Sequence, residues 1–367
     1  MKNIDEINIK SFRGIKNLTL TDLAQVNIIA GNNNCGKTSV LEVIESLRQP
    51  DNIYTWNSLS RRSSGTSPVL SRMSFYEGIY DLFDINAEDK RIEYALKSGN
   101  DVMTLVAEAA ESVEEITERR YAELAGIYVP EENEEELEHQ IREIEKIDFK
   151  VVLDNKKILN QKIYEGQIYI PMHSKSIDKE LTKNIIYISP IRHATGDVFL
   201  SDVLNSPELY EQMLSILKEY DENIISINYD QNNAREGVYK ILSKAHDKAL
   251  PLNVYGDGMK KAILLMSAVV RAKDGILLLD EFETAIHTSA MEKTFRWILE
   301  TCKKLNVQVF MTSHSIEAIL KVLKCCSDME KDIRMITLVE TSKGIKARNV
   351  DAAMAVKLMD QYGLELR

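Results

Sequence analysis

Eight consecutive residues, Gly31-Asn32-Asn33-Asn34-Cys35-Gly36-Lys37-Thr38, satisfy the pattern G-x-x-x-x-G-K-[ST] in full, and Ser39 follows them. In such a run the glycines let the backbone curl so that N–H groups face phosphate oxygens. The lysine offsets β- and γ-phosphate charge, and the threonine hydroxyl is a ligand for Mg2+. A chance match in a chain of this length is about a one per cent event by average composition. Far along the chain, Ile276-Leu277-Leu278-Leu279 runs into Asp280 and Glu281. An apolar strand ending in two carboxylates can hold Mg2+ through Asp280 and polarise an attacking water through Glu281. A third run, Phe310-Met311-Thr312-Ser313-His314-Ser315, puts His314 at a strand end, within reach of a γ-phosphate. Finally, Tyr255-Gly256-Asp257-Gly258-Met259-Lys260 is a glycine-rich turn that opens a helix. Read together, these residues predict a site for ATP and Mg2+, with Glu281, His314 and Lys37 as the catalytic groups and Thr38 and Asp280 as the metal ligands.

The elements around these residues have the required form. Val26-Asn27-Ile28-Ile29-Ala30 reads as a buried parallel strand that enters the P-loop, and Val40, Leu41, Val43, Ile44 and Leu47 follow it at helical spacing. Before it, Ile4, Ile7 and Ile9, then Leu18 and Leu20, alternate around Gly14 as a β-hairpin does. Loop composition marks 61–67, and 91–97 alternates like a strand. Residues 102–125 and 131–146 are highly charged and read as two helices forming an antiparallel hairpin. Short strands are expected at 149–153, 168–170 and 185–188, helices at 207–219, 234–249 and 289–305, and strands at 276–279 and 307–312. The expected fold is α/β. A P-loop lobe with an N-terminal antiparallel β region spans 1–100, an acidic helical insertion spans 101–147, and a second lobe spans 148–367.

The formal charge of −11 is local in origin. Residues 108–146 contain 14 acidic and 4 basic residues, which leaves 43 acidic and 42 basic residues elsewhere. This charge disfavours nucleic acid as a ligand of the acidic segment and neither supports nor excludes it for the balanced body. No apolar run approaches the ~18 residues of a membrane span, and the N-terminus is not built as a signal peptide, so a cytoplasmic protein without a membrane partner is expected. Cys35, Cys302, Cys325 and Cys326 match no zinc or disulfide spacing and are expected to be reduced.

Phe12-Arg13-Gly14-Ile15, the Gly-x-Asn-x-x-Gly-Lys-Thr form of the P-loop, Gly256-Asp257-Gly258, Leu279-Asp280-Glu281 and Thr312-Ser313-His314-Ser315 together resemble the AAA15-type, OLD-like ATPases of the ABC/SMC/RecF class. The likeness runs over nearly the whole chain, including Gly363 to Arg367 at its end. It implies a homodimer or higher oligomer in which two heads sandwich ATP, with Gly256, Asp257 and Gly258 acting on the opposite subunit's nucleotide. It also implies a separately encoded effector protein in an anti-phage or toxin-like system. Two departures, a signature turn without serine and no glutamine between Gln49 and Gln140, predict slow or partner-gated hydrolysis. About 53 residues follow His314 and hold no Asp-x-Asp pair, so a Toprim nuclease is not expected. An ATP-dependent DNA clamp and a transporter's nucleotide-binding subunit are the competing readings. Arg192 and His193 are further candidates for the site or a dimer surface, and Glu283 and His287 for the surface between heads.

Overall fold

The computed structural model describes residues 4–60, 74–168, 170, 178–190, 199–230, 237–284, 291–342 and 344–362. The expected loop at 61–67, Arg192, His193, His287 and the final residues 363–367 lie outside the described residues. The first part of the chain forms β1 (Glu6–Phe12), β2 (Ile15–Leu20), β3 (Val26–Gly31), α1 (Lys37–Glu45), α2 (Ile53–Ser60), α3 (Phe75–Tyr80), β4 (Arg91–Ser98), β5 (Asp101–Thr117), α4 (Glu118–Ala125), α5 (Glu131–His139), β6 (Ile141–Leu153) and β7 (Lys156–Tyr164). The second part forms β8 (Ile185–Ile188), α6 (Leu200–Leu204), α7 (Pro207–Leu217), β9 (Ile224–Asp230), β10 (Val238–Ser243), β11 (Leu250–Pro251), α8 (Asp257–Arg271), β12 (Ile276–Leu279), α9 (Met291–Lys304), β13 (Gln308–Thr312), α10 (Ile316–Cys325), β14 (Ile333–Thr341), β15 (Gly344–Asp351) and α11 (Ala352–Tyr362).

One sheet runs in the order β15-β14-β3-β13-β12-β8, parallel except for the edge strand β15. A strand covered on both faces is mostly apolar, and β3, β12 and β13 are buried at every position, with the buried amides of Asn27 and Gln308 hydrogen-bonded. Their side chains alternate between two cores. Ile28, Leu277, Leu279, Val309 and Met311 face a cluster built with α8, α9 and α10. Ile29, Leu278 and Phe310 face the other cluster, which includes Val40, Leu41, Val43 and Ile44 of α1 and the inner side of the N-terminal sheet. That sheet, β2-β1-β4-β5-β6-β7, is antiparallel throughout. The expected hairpin at its start is present, with Phe12 paired to Ile15 around the Gly14 turn. A third, small sheet has the order β11-β10-β9. Among the described residues no helix is long and apolar enough to cross a membrane. All four cysteines are free.

The expected α/β architecture with an N-terminal antiparallel region is observed, but the acidic helical hairpin is reduced to two short helices at the tip of a long strand pair. Most of 102–125 is β5, paired on one side with β4 and on the other with β6, whereas most of the second predicted helix is present as α5, and only its last residues, 141–146, belong to β6. Only α4 and α5, at the tip between these strands, are helical. Alanine and glutamate favour helix locally. Here non-local pairing prevails, because Leu105, Ala107, Ile147, Phe149 and Val151 alternate into the core at the strand period of two. The strand expected at 149–153 is the end of β6, and Ile168 and Ile170 belong to no strand. The helix expected at 234–249 is also overturned in its described part: Val238 to Ser243 pair with β9.

Candidate active site

Parallel strands in register deliver their carboxyl ends to one edge of a sheet, and the loops leaving that edge form the usual ligand crevice of an open α/β sheet. Met311 pairs with Ile28 on one side of β13 and with Leu279 on the other. The P-loop after β3, Asp280 after β12 and His314 after β13 therefore emerge together. α8 leads by a short turn into β12 and runs back against the sheet, so Gly256, Asp257 and Gly258 at its start lie toward the same edge.

The P-loop conformation depends on its glycines. Gly31 has φ 147°, and a Cβ there would lie 2.5 Å from the Leu338 carbonyl oxygen and 2.6 Å from Cys35 Sγ. Gly36 has φ 90° and caps α1 in the left-handed region, where side chains are strained. Asn34 is also left-handed, a conformation asparagine tolerates better than most residues. Asn32, Asn33 and Asn34 are exposed, whereas Cys35 and Ser39 are buried, so the Cys35 thiol faces inward. Burial pushes this thiol's pKa up, against the opposing pull of Lys37. Lys37 is itself buried, and its ammonium donates to the carbonyls of Gly31 and Asn32, 2.8 Å from each. This places a cation at the mouth of the loop at the first turn of α1, where the helix dipole also favours an anion.

Asp280 is 4% exposed, and both of its oxygens are engaged. Oδ1 accepts the Thr312 hydroxyl at 2.6 Å and lies 3.2 Å from the Thr38 hydroxyl, while Oδ2 accepts the Tyr187 hydroxyl at 3.2 Å. The P-loop threonine and the Walker B aspartate therefore touch, which joins the two sequence motifs into one site. Hard oxygen donors of this kind suit Mg2+, a cation usually held by one or two protein ligands together with phosphate and water.

Glu281 adopts φ 49°, an uncommon conformation for glutamate that its surroundings hold firmly. Its N–H donates to Thr312 Oγ1 at 2.8 Å, and its carbonyl accepts both the N–H and the hydroxyl of Thr284 at 2.9 Å. The half-exposed carboxylate lies 3.8 Å from His314 Nε2. Burial, and then the negative charge of Asp280, raise the Glu281 pKa above the ordinary carboxylate range, against the pull of His314. A carboxylate of raised pKa is a stronger base once ionised, which suits it to orienting a water nucleophile. The His314 N–H is held in turn by Glu283 Oε1 at 2.7 Å.

The glycine-rich turn makes no hydrogen bond to the P-loop among the described residues. Gly256 and Asp257 are exposed, and Asp257 pairs with Lys260 at 2.7 Å. A Cβ on Gly256 would meet nothing within 4 Å, so this face of the helix start is open. The turn is nonetheless tied to the Walker B segment, because Lys261 Nζ donates to the Thr284 carbonyl at 2.7 Å.

Sequence reasoning assigned no role in the site to Tyr187 and did not single out Thr312 within its motif. The Asp280 contacts of both arise from strand neighbours that no local pattern specifies. Arg13, in the Phe12-Arg13-Gly14-Ile15 segment, is a buttress. Its guanidinium bonds the buried Glu42 carboxylate on α1 at 2.9 Å and the carbonyls of Leu59 and Asp81.

A protein of Helicobacter pylori (strain ATCC 700392 / 26695) named ATP/GTP phosphatase is 25% identical over 348 residues, covering 86% of each chain. An uncharacterized protein of Methanocaldococcus jannaschii is 37% identical over 97 residues, covering 26% of this chain and 41% of its own. Among solved structures, an SMC head bound to the C-winged helix domain of ScpA aligns over 96% of this chain and 99% of its own, at 11% identity and a TM-score of 0.49. The SMC head domain from Thermotoga maritima aligns over 95% and 99%, at 11% identity and a TM-score of 0.43. The family model described as AAA domain, putative AbiEii toxin, Type IV TA system matches residues 26–320, a span that takes in the P-loop, Asp280, Glu281 and His314. With well over half of its length matched and the site complete within the match, the chain belongs to this AAA-domain family.

Proposed function

We propose that this chain is an ABC-type, OLD-like ATPase of the ABC/SMC/RecF class, in which ATP binding dimerises two heads and hydrolysis resets them. In this reading it is the cytoplasmic ATPase subunit of a prokaryotic anti-phage or toxin-like system and controls a separately encoded effector protein. The observation that carries the nucleotide reading is the Thr38–Asp280–Thr312 chain of contacts, which ties the P-loop to Walker B and seats Glu281 beside it. The family match and the phosphatase name of the Helicobacter pylori relative support hydrolysis. The family's toxin-system description supports the biological setting.

Each residue has a task in this reading. The P-loop amides and Lys37 bind and orient the β- and γ-phosphates. Thr38 and Asp280 hold Mg2+, which when bound neutralises phosphate charge. Glu281 accepts a proton from the attacking water, and His314 steadies the γ-phosphate end. Gly256, Asp257 and Gly258 cap the nucleotide of the opposite head, which agrees with the exposure of Gly256 and Asp257 and the open space beside Gly256 among the described residues.

Native mass spectrometry of Glu281→Gln protein, co-expressed with its neighbouring genes and examined with and without Mg-ATP, tests the proposal. A dimer or larger assembly that forms only with ATP and retains a second polypeptide is the expected result. A dimer retaining only nucleic acid would favour a DNA clamp, and a monomer indifferent to ATP would rule out the head-sandwich switch.

A further inference from the structure

We infer that Glu283 is a positioning residue for His314, gripping the histidine by its main chain so that the imidazole stays beside Glu281. The inference deepens the hydrolytic reading above and rests on it. Glu283 Oε1 accepts the His314 N–H at 2.7 Å. Its Oε2 is shut off from solvent and has no hydrogen-bond partner among the described residues. A backbone N–H bonded to a carboxylate is a charge-assisted bond, roughly twice as strong as a neutral one. Among the described residues, the bond to His314 is the polar contact this carboxylate makes.

The turn that carries Glu283 is rigid. It is one 3-10 turn, Phe282–Thr284. Phe282 is fully buried and packs edge-to-face on Phe295, with ring centroids 5.0 Å apart. On its N-terminal side, Glu281 is held by Thr312 and Thr284. On its C-terminal side, the Thr284 carbonyl is held by Lys261. Glu283 is thus a fixed peg between Walker B and the strand-end loop.

His314, by contrast, has little else to orient it among the described residues. Its side chain is 38% exposed, with the Glu281 carboxylate 3.8 Å away. The neighbouring amides are already committed: the Ser313 N–H bonds the Ile29 carbonyl at 3.2 Å, and the Ser315 N–H bonds Ser313 Oγ at 2.9 Å. The His314 N–H lies between them, and Glu283 is its anchor. Removing the anchor frees the peptide plane before His314 to rotate, and the imidazole moves with it. The two glutamates of one turn therefore divide the work, Glu281 facing the water and Glu283 holding the group opposite.

Steady-state hydrolysis of Mg-ATP by single and double variants tests this, with thermal melting to verify folding. Glu283→Ala is expected to lower kcat about tenfold and leave KM for ATP within about twofold, since only the reacting arrangement is disturbed. Glu283→Gln keeps an acceptor oxygen and is expected to stay within about threefold of wild type. In a His314→Ala background, Glu283→Ala is expected to add no further loss, because both changes remove the same function. An unchanged kcat in Glu283→Ala, a rise in KM alone, or losses that multiply in the double variant would each overturn the assignment. Should Glu283→Ala fail to fold, Glu283→Asp withdraws the carboxylate by one methylene and carries the same expectation of lowered kcat, with wild-type kcat overturning it. Wild-type protein that hydrolyses no ATP, either alone or co-expressed with its neighbouring genes, would sink the hydrolytic reading itself. Wild-type turnover with multiplying losses would sink only the role of Glu283.

Discussion

The carboxyl edge of the parallel sheet and the ribbon of β5 and β6 both carry carboxylates on strands, and they hold them differently. At the sheet edge, Asp280 is buried with three hydroxyl partners, and Glu281 and Glu283 are set by a rigid turn. In the ribbon the carboxylates are spread over solvated faces and only partly paired, as Glu114 is with Lys146 and Lys162. Such pairs contribute little to stability because water screens them. One cross-strand pair is even unfavourable, since Glu115 sits directly opposite Glu143 without a cation partner among the described residues. The contrast shows that chemistry follows from where a strand ends and what it buries, while acidic composition alone makes a solvated face.

Substitutions at the sheet edge should accordingly have large effects, and substitutions in the ribbon small ones. Asp280→Ala removes the carboxylate shared by Thr38, Thr312 and Tyr187, and ATP turnover should fall by roughly a thousandfold or more. Thr312→Val leaves the Glu281 N–H and Asp280 Oδ1 without that hydroxyl, which should destabilise the fold by about 2 kcal/mol in urea denaturation. Retention of full stability would mean that the network is not formed.

Glu281→Gln should act on stability in the opposite direction. The folded pKa of Glu281 is raised, so ionisation opposes folding above the ordinary carboxylate range, and the neutral variant should melt higher at neutral pH. The gain should vanish as the pH falls below that range, where both states of the wild type are protonated. A lower melting temperature at neutral pH would contradict the shift. The smallest effect belongs to the ribbon. Glu143→Lys turns a like-charge pair with Glu115 into an attractive one, worth roughly 0.5 kcal/mol at low salt and less at high salt, with ATP turnover unchanged. A loss of turnover there would erase the distinction between the two regions.

The same division governs how much was legible before the structure. β12 occupies the four residues expected of it, and the P-loop lies between the strand and helix that its pattern demands, because short apolar runs and glycine-bearing turns are local signals. β5 is rich in alanine and glutamate, and its strand identity comes from β4 and β6, which no window of sequence contains. The period-two spacing of Ile147, Phe149 and Val151 was the available clue. Within the site, the residues that act directly follow from motif chemistry. Tyr187 and Glu283 do not, because their partners lie 93 and 31 residues away and meet them only once the strands are in register.

The most direct test of the account is to measure Mg-ATP affinity and single-turnover cleavage side by side for wild-type protein and Glu281→Gln. The account predicts affinities within about twofold of each other and a cleavage rate lowered by about two to three orders of magnitude, the usual contribution of a positioned general base. Cleavage at the wild-type rate, or loss of binding together with loss of cleavage, would contradict the assignment of this sheet edge as a hydrolytic nucleotide site.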